Sequence, residues 1–126
     1  MLIHLSPNNP KPMYEQIVHE IQRLIVSRHM ETGEMLPSIR ELSKELTTSA
    51  ITVRRAYHDL ESSGFIYTRA GKGSFVADLN EADLLEWKRK QVEEPLQEAI
   101  RQAQMLGLPE SEALQLFSAL WSKRNM

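Results

Sequence analysis

At 126 residues with no cysteine, the chain has room for one compact domain plus an appendage; it excludes disulfides and thiolate metal sites, and is compatible with a reducing cytoplasm. An apolar share of 41% and a charged share of 25% are ordinary for a soluble globular protein. No apolar run approaches the roughly 20 residues of a membrane span, and Met1 to Pro10 lacks the basic start and apolar core of a signal peptide. The net charge of −2 does not suit a protein that simply coats nucleic acid, but it is unevenly spread. Residues 1–77 carry nine Lys and Arg against eight Asp and Glu, and residues 78–126 carry six against nine. Any anion-binding surface is therefore a local patch, with Arg40, Lys44, Arg54, Arg55, Arg69 and Lys72 as its candidates.

Leu2-Ile3-His4-Leu5 predicts a short strand or an ordered arm, and Ser6 to Pro12 a turn-rich lead-in. Tyr14, Ile17, Val18, Ile21, Leu24 and Ile25 recur at three- and four-residue spacing, which predicts a first helix from about Pro12 to Arg28 with Pro12 in its first turn. Thr32-Gly33-Glu34 breaks that pattern. Ser38 followed by Glu41 has the spacing of a capping box for a second helix, with Ile39, Leu42 and Leu46 inward. Thr47-Thr48-Ser49 reads as a short turn. A third helix follows, with Val53, Ala56, Tyr57 and Leu60 inward and Gly64 ending it as the C′ residue. Phe65 to Thr68 and Ser74 to Ala77 are β-rich runs on either side of Ala70-Gly71-Lys72-Gly73, a hairpin pattern.

Three helices and a hairpin in this order make a mainly α winged helix-turn-helix over residues 1–77, followed by a helical extension over residues 78–126. In the extension, Asn80 can cap a charged helix in which Pro95 either kinks one long element or begins a second after Glu94. Gly107-Leu108-Pro109 ends it, and a last helix spans about Glu110 to Lys123.

A helix-turn-helix lays its second helix in the major groove and reaches base edges from near that helix's start. Here those residues are Ser49, Ala50, Ile51, Thr52 and Arg54. Ser49 and Thr52 either bond phosphates and base edges or merely cap the helix. Ile51 can touch a thymine methyl, and Arg54 can bond a guanine or clamp a phosphate. Arg40 lies in the first turn of the preceding helix, where a cation opposes the dipole. Its counterpart is a phosphate or a carboxylate such as Glu41 or Glu45. The tip Arg69-Ala70-Gly71-Lys72-Gly73 is either a close backbone approach to a charged surface or a plain tight turn.

Pro12-Met13-Tyr14-Glu15-Gln16-Ile17, Gly33-Glu34-Met35-Leu36-Pro37-Ser38-Ile39-Arg40-Glu41-Leu42, Thr52-Val53-Arg54-Arg55-Ala56-Tyr57, Leu60 to Ile66 and Gly71-Lys72-Gly73-Ser74-Phe75-Val76 together resemble the DNA-binding domain of GntR-family regulators. The resemblance covers roughly half the chain, with its blocks in order. It implies operator DNA as the partner, held by Arg40, Ser49, Ala50, Thr52, Arg54, Gly71 and Lys72; the neighbouring Ser38, Ile51 and Arg69 complete the expected contact set. Ala50 stands where many members carry Arg or Asn, Thr48 where a buried Val is common, and Ser27-Arg28 where a Gly is common. The short two-helix tail resembles the YtrA-type subgroup, whose members often repress genes for ABC-type transporters and pair two chains through the tail. Two amphipathic helices of this size cannot cover their apolar stripes against each other alone. Either a partner chain or the chain's own winged domain covers the excess. Pairing is the favoured reading, with Leu85, Val92, Leu96, Ile100, Ala103, Leu114, Phe117, Leu120 and Trp121 as the expected homodimer contacts.

The expected protein is thus a dimeric, cytoplasmic repressor on a pseudo-palindromic operator, with no cofactor, metal or membrane role. An enzyme is disfavoured, because there is no nucleophile motif and His4, His19, His29 and His58 lack metal-ligand spacing. A protein–protein module on a winged-helix scaffold is the alternative. The tail leaves little room for an effector pocket of about 300 Å³ unless a dimer interface forms one.

Overall fold

The computed structural model describes residues 3–124; Leu2 of the expected arm, and Asn125 and Met126 of the expected tail, lie outside the described residues. The elements run α1 (Met13–Val26), α2 (Ile39–Leu46), α3 (Ala50–Ser62), β1 (Ile66–Arg69), β2 (Gly73–Val76), α4 (Glu81–Met105) and α5 (Glu110–Arg124). They divide into two compact units, Met1–Asn80 and Glu81–Met126.

The first unit is built on α1 against α3. Ile17, Ile21, Leu24 and Ile25 of α1 meet a core completed by Val53, Ala56, Tyr57 and Leu60 of α3. The lead-in is tied down through Gln16, a buried amide on α1. Its Oε1 accepts from the Ser6 N–H at 2.9 Å, and its Nε2 donates to the carbonyls of Ser6 and Lys11. His4 N–H donates to Glu20. Residues 3–5 are accordingly an ordered arm and not a strand. Pro12 falls one position outside the helix, at the N-cap, and α1 stops at Val26 instead of Arg28. The stop is a left-handed turn at Arg28 (φ 62°), which lets the His29 and Met30 N–H groups both close onto the Leu24 carbonyl.

Helix α2 has only eight residues and one buried side chain, Leu42; Ile39 and Leu46, expected inward, are half-buried. Helices this short are not stable alone, so α2 depends on its ends. Ser38 Oγ accepts from the Glu41 N–H at 3.0 Å while the Glu41 carboxylate accepts from the Ser38 N–H at 3.0 Å, the expected capping box. At the other end Thr47 turns left-handed (φ 53°), and Ser43 Oγ donates to the Thr48 carbonyl. Ser49 then caps α3 by accepting from the Thr52 N–H.

The wing is antiparallel, with Ile66 opposite Val76 and Arg69 opposite Gly73. Phe65 is buried just before β1 and Ala77 lies just past β2, while Arg69 and Gly73, expected in the tip, are paired, so both strands lie one residue closer to the turn than the expected runs. The pattern did not reveal a third extended segment. Gly33 and Leu36 N–H groups donate to the Val76 and Ser74 carbonyls at 2.8 Å, and Val76 N–H donates to Glu34. Met35 bridges Phe75, which puts β2 between two neighbours. This ties the wing directly to the chain entering α2.

In the second unit, α4 runs unbroken through Pro95. This decides the open alternative in favour of one helix, although Pro95 has no N–H for the Gln91 carbonyl four residues back. Neither α4 nor α5 buries a residue.

Candidate nucleic-acid interface

The helix-turn-helix leaves an open groove of about 720 Å³ where the start of α3 passes α2. Ser38, Ile39, Arg40, Ser43 and Lys44 line it from α2 and its cap, and Ala50 and Arg54 from α3. Arg40 and Arg54, on two consecutive helices, are therefore brought to one surface. Neither has an ion-pair partner among the described residues. The carboxylate nearest Arg40 in sequence, Glu41, is engaged by Ser38. The Ser38 N–H and then its hydroxyl hold the Glu41 carboxyl below its usual range. The salt-bridge explanation of Arg40 is not realised.

Ile51 stands at the start of α3 with 75% of its surface exposed. Nothing in the unit uses this apolar side chain, whereas Val53 two residues on is fully buried. Ser49 and Thr52 are more constrained. Ser49 Oγ caps the helix and lies 2.8 Å from Thr52 Oγ1, so both hydroxyls already have local work, though each oxygen retains capacity for a further bond.

The adjacent arginines Arg54 and Arg55 divide their tasks. Arg55, counted in the cationic patch from sequence, stacks its guanidinium 3.8 Å from the centre of the Tyr14 ring and donates to the Tyr14 hydroxyl at 3.1 Å. It clamps α3 to α1. Only Arg54 is turned to the groove. Tyr57 clamps the other neighbour: its hydroxyl donates to the Pro37 carbonyl at 2.7 Å, fixing the start of α2 on α3. Burial, and then the charges of Glu41 and Glu45, push this phenol well above its ordinary value.

The wing tip is a turn closed by Lys72 N–H on the Arg69 carbonyl at 3.0 Å. Gly71 occupies its third position at φ 75°, a left-handed geometry that a side chain would oppose. Ala70, Gly71 and Lys72 are exposed, and Arg69 lies 5.9 Å over the Tyr67 ring, which itself stacks on Phe75. The tip does not line the α2–α3 groove. Lys44, noted in the patch but not singled out as a contact, does. Its signal was its position four residues after Arg40, hence on the same helix face.

Among the described residues no group of His, Asp and Glu is gathered as a metal site requires, and no helix is long and apolar enough to cross a membrane.

Residues 13–76 match the family model described as bacterial regulatory proteins, gntR family. The chain is 33% identical over 107 residues to the HTH-type transcriptional repressor YtrA of Bacillus subtilis (strain 168), covering 85% of this chain and 82% of that one. A GntR family transcriptional regulator from Listeria monocytogenes superposes with a TM-score of 0.75 at 28% identity, over 89% of this chain and 97% of the other. The DNA-binding domain of AraR in complex with operator ORX1 superposes with a TM-score of 0.54 at 32% identity, over 59% and 92%. Together with a winged helix-turn-helix that leaves its cations and the start of α3 open, these likenesses show that the chain belongs to the GntR family, as a YtrA-like DNA-binding transcriptional regulator and not an enzyme.

Proposed function

We propose that the protein is a dimeric repressor that occupies a pseudo-palindromic operator through two copies of the winged helix-turn-helix. The observation that carries this reading is the exposed start of α3. Ile51 is solvent-facing there, and Arg40 and Arg54 stand unpaired on the adjoining groove. Ile51 suits a thymine methyl and Arg54 a guanine edge or a phosphate. Ser38, Arg40, Ser49 and Thr52 flank them, and Ala50 lets the backbone come close. Arg69, Gly71 and Lys72 of the wing reach the duplex backbone.

Pairing is supported by what α4 and α5 leave uncovered. Leu85, Val92, Leu96 and Ile100 form one stripe with the half-buried Ala103, and Leu114, Phe117, Leu120 and Trp121 another. These eight large side chains are each 39% to 63% exposed. At roughly 150–200 Å² per side chain that is on the order of 700 Å² per chain, close to the ~800 Å² each partner contributes to a standard interface. A symmetric pair would set two α3 helices about 34–36 Å apart, one turn of DNA. The Bacillus subtilis relative is named a transcriptional repressor, and AraR is seen on operator DNA. Blocking a promoter in the cytoplasm is the simplest mechanism for such a dimer, with transporter genes as its first targets.

Duplexes selected from a random pool test this. Wild-type affinity should fall by about 10³-fold or more between 50 and 200 mM salt if six or more phosphates are neutralised. Arg54→Ala should cost about 1–3 kcal/mol and relax preference at one base pair; Lys72→Ala should weaken all sequences alike. Binding that ignores salt, or an Arg54→Ala protein as tight and selective as wild type, refutes the assignment.

A further inference from the structure

Lys44 has no assigned role in the α2–α3 groove. It lies one helical turn beyond Arg40, and both line the same concavity, with Arg54 contributed by α3. Ser38, Ser43, Ile39 and Ala50 complete the lining, and no carboxylate is part of it. Like charges four residues apart on a helix repel, and Arg40 also faces the positive end of the α2 dipole. Neither Arg40, Lys44 nor Arg54 is in an ion pair among the described residues. Glu41 is committed to the capping box. Three uncompensated cations around one concave space form an arrangement that an anion relieves. At its α3 edge stands Ala50, whose methyl group leaves the space open and supplies no polar contact of its own.

We propose that Lys44 is a third cationic contact in this groove, binding a backbone phosphate of the operator beside Arg40 and Arg54, and standing in for a polar side chain at position 50. The ammonium group suits this role: it is a compact charge with three donors that bonds a phosphate oxygen without a fixed plane. This rests on the DNA-binding reading of α3. The bland alternative is that Lys44, in the last turn of α2, only complements the helix dipole. The two differ in what they predict. A helix-dipole role alters folding stability and leaves the number of phosphates neutralised unchanged.

The test measures, with the full chain, how affinity for a selected operator duplex depends on salt. Wild type is compared with Lys44→Gln, Lys44→Arg and Lys90→Gln, the last on the face of α4 away from its apolar stripe. Each phosphate contact contributes a slope of about 0.9 in log affinity against log salt. Lys44→Gln should lower the slope by about one and weaken binding several-fold near 0.1 M salt. Lys44→Arg should retain the wild-type slope, and Lys90→Gln should match wild type. In a Lys44→Gln background, Ala50→Arg should restore the lost unit of slope by placing a cation at the same groove. Thermal unfolding of each variant identifies any that fail to fold, in which case Lys44→Ala replaces Lys44→Gln. A Lys44→Gln protein that folds and keeps the wild-type slope overturns the proposal while leaving DNA binding intact. A wild-type protein without salt-dependent duplex binding overturns both.

Discussion

Replacing Tyr57 by Phe removes one hydroxyl and leaves the ring in place, which isolates the contact that seats α2 on α3. The hydroxyl donates to the Pro37 carbonyl at 2.7 Å, and the residue is only 6% exposed. A net hydrogen bond contributes about 1 kcal/mol, and leaving a buried acceptor unpaired raises the loss toward 1–3 kcal/mol. The ring is retained, so no cavity cost of the Tyr→Ala kind is added. The expected loss is about 1–2 kcal/mol, and a unit of this size shifts its unfolding midpoint by about 4–8 °C per kcal/mol. The pH profile gives a second readout. Burial raises the folded phenol above its unfolded value near 10. Its contribution is therefore fully present below pH 10 and is lost as pH rises toward the folded value. The Phe variant lacks that component, so the difference between the two proteins should shrink above pH 10. Because Pro37 leads into Ser38 and Arg40, operator affinity should fall as well. Urea unfolding by circular dichroism, run at several pH values beside duplex binding, measures all three. A Tyr57→Phe protein as stable as wild type, with the same alkaline profile, would refute the clamp.

Thr47 holds a left-handed conformation at φ 53°, which costs a β-branched residue about 1–2 kcal/mol. Thr47→Gly removes that strain against an unfolded-state entropy loss of about 0.4–1 kcal/mol, so denaturant unfolding should show a gain of about 0.5–1 kcal/mol; a loss would mean the Thr47 side chain has a stabilising role. Ser38→Ala removes the hydroxyl half of the capping box and should cost about 1 kcal/mol in the same assay. The Glu41 carboxyl is held low first by the Ser38 N–H and then by its hydroxyl, so its contribution is present above the usual carboxylate range and fades as pH falls through the folded value. Ser38→Ala keeps the N–H and should therefore weaken the acid dependence only in part, and a Ser38→Ala protein as stable as wild type at neutral pH would refute the cap's role. Phe117→Asp with Trp121→Asp places charge on the stacked pair of α5, whose ring centres lie 5.8 Å apart. Sedimentation should show a monomer that binds a half-site but loses the advantage of a palindrome, and a persisting dimer would move the interface elsewhere.

The local rules carried the sequence a long way. Apolar spacing located α1, α3 and the hairpin, and Ser38-x-x-Glu41 announced the start of α2, because caps and amphipathic stripes are short-range properties of consecutive residues. Long-range pairing was not legible. Nothing in Gly33 to Leu36 alternates clearly enough to mark a partner for β2; that segment is extended because β2 presents a free edge of carbonyls and N–H groups to it. The same limit applied to the adjacent arginines. Arg54 and Arg55 are alike as sequence, and the position of Tyr14 on the packed α1 is what takes Arg55 out of the groove. Pro95 was ambiguous because proline forbids one hydrogen bond and does not forbid the helix. By itself the sequence specified which segments are helices, where α2 and α3 are capped at their starts, and that cations accompany them. Only the tertiary structure decided which of those cations share a surface, because that depends on how α2 packs on α3, through the buried Leu42 of α2 and the Tyr57 hydroxyl of α3 bonded to the Pro37 carbonyl.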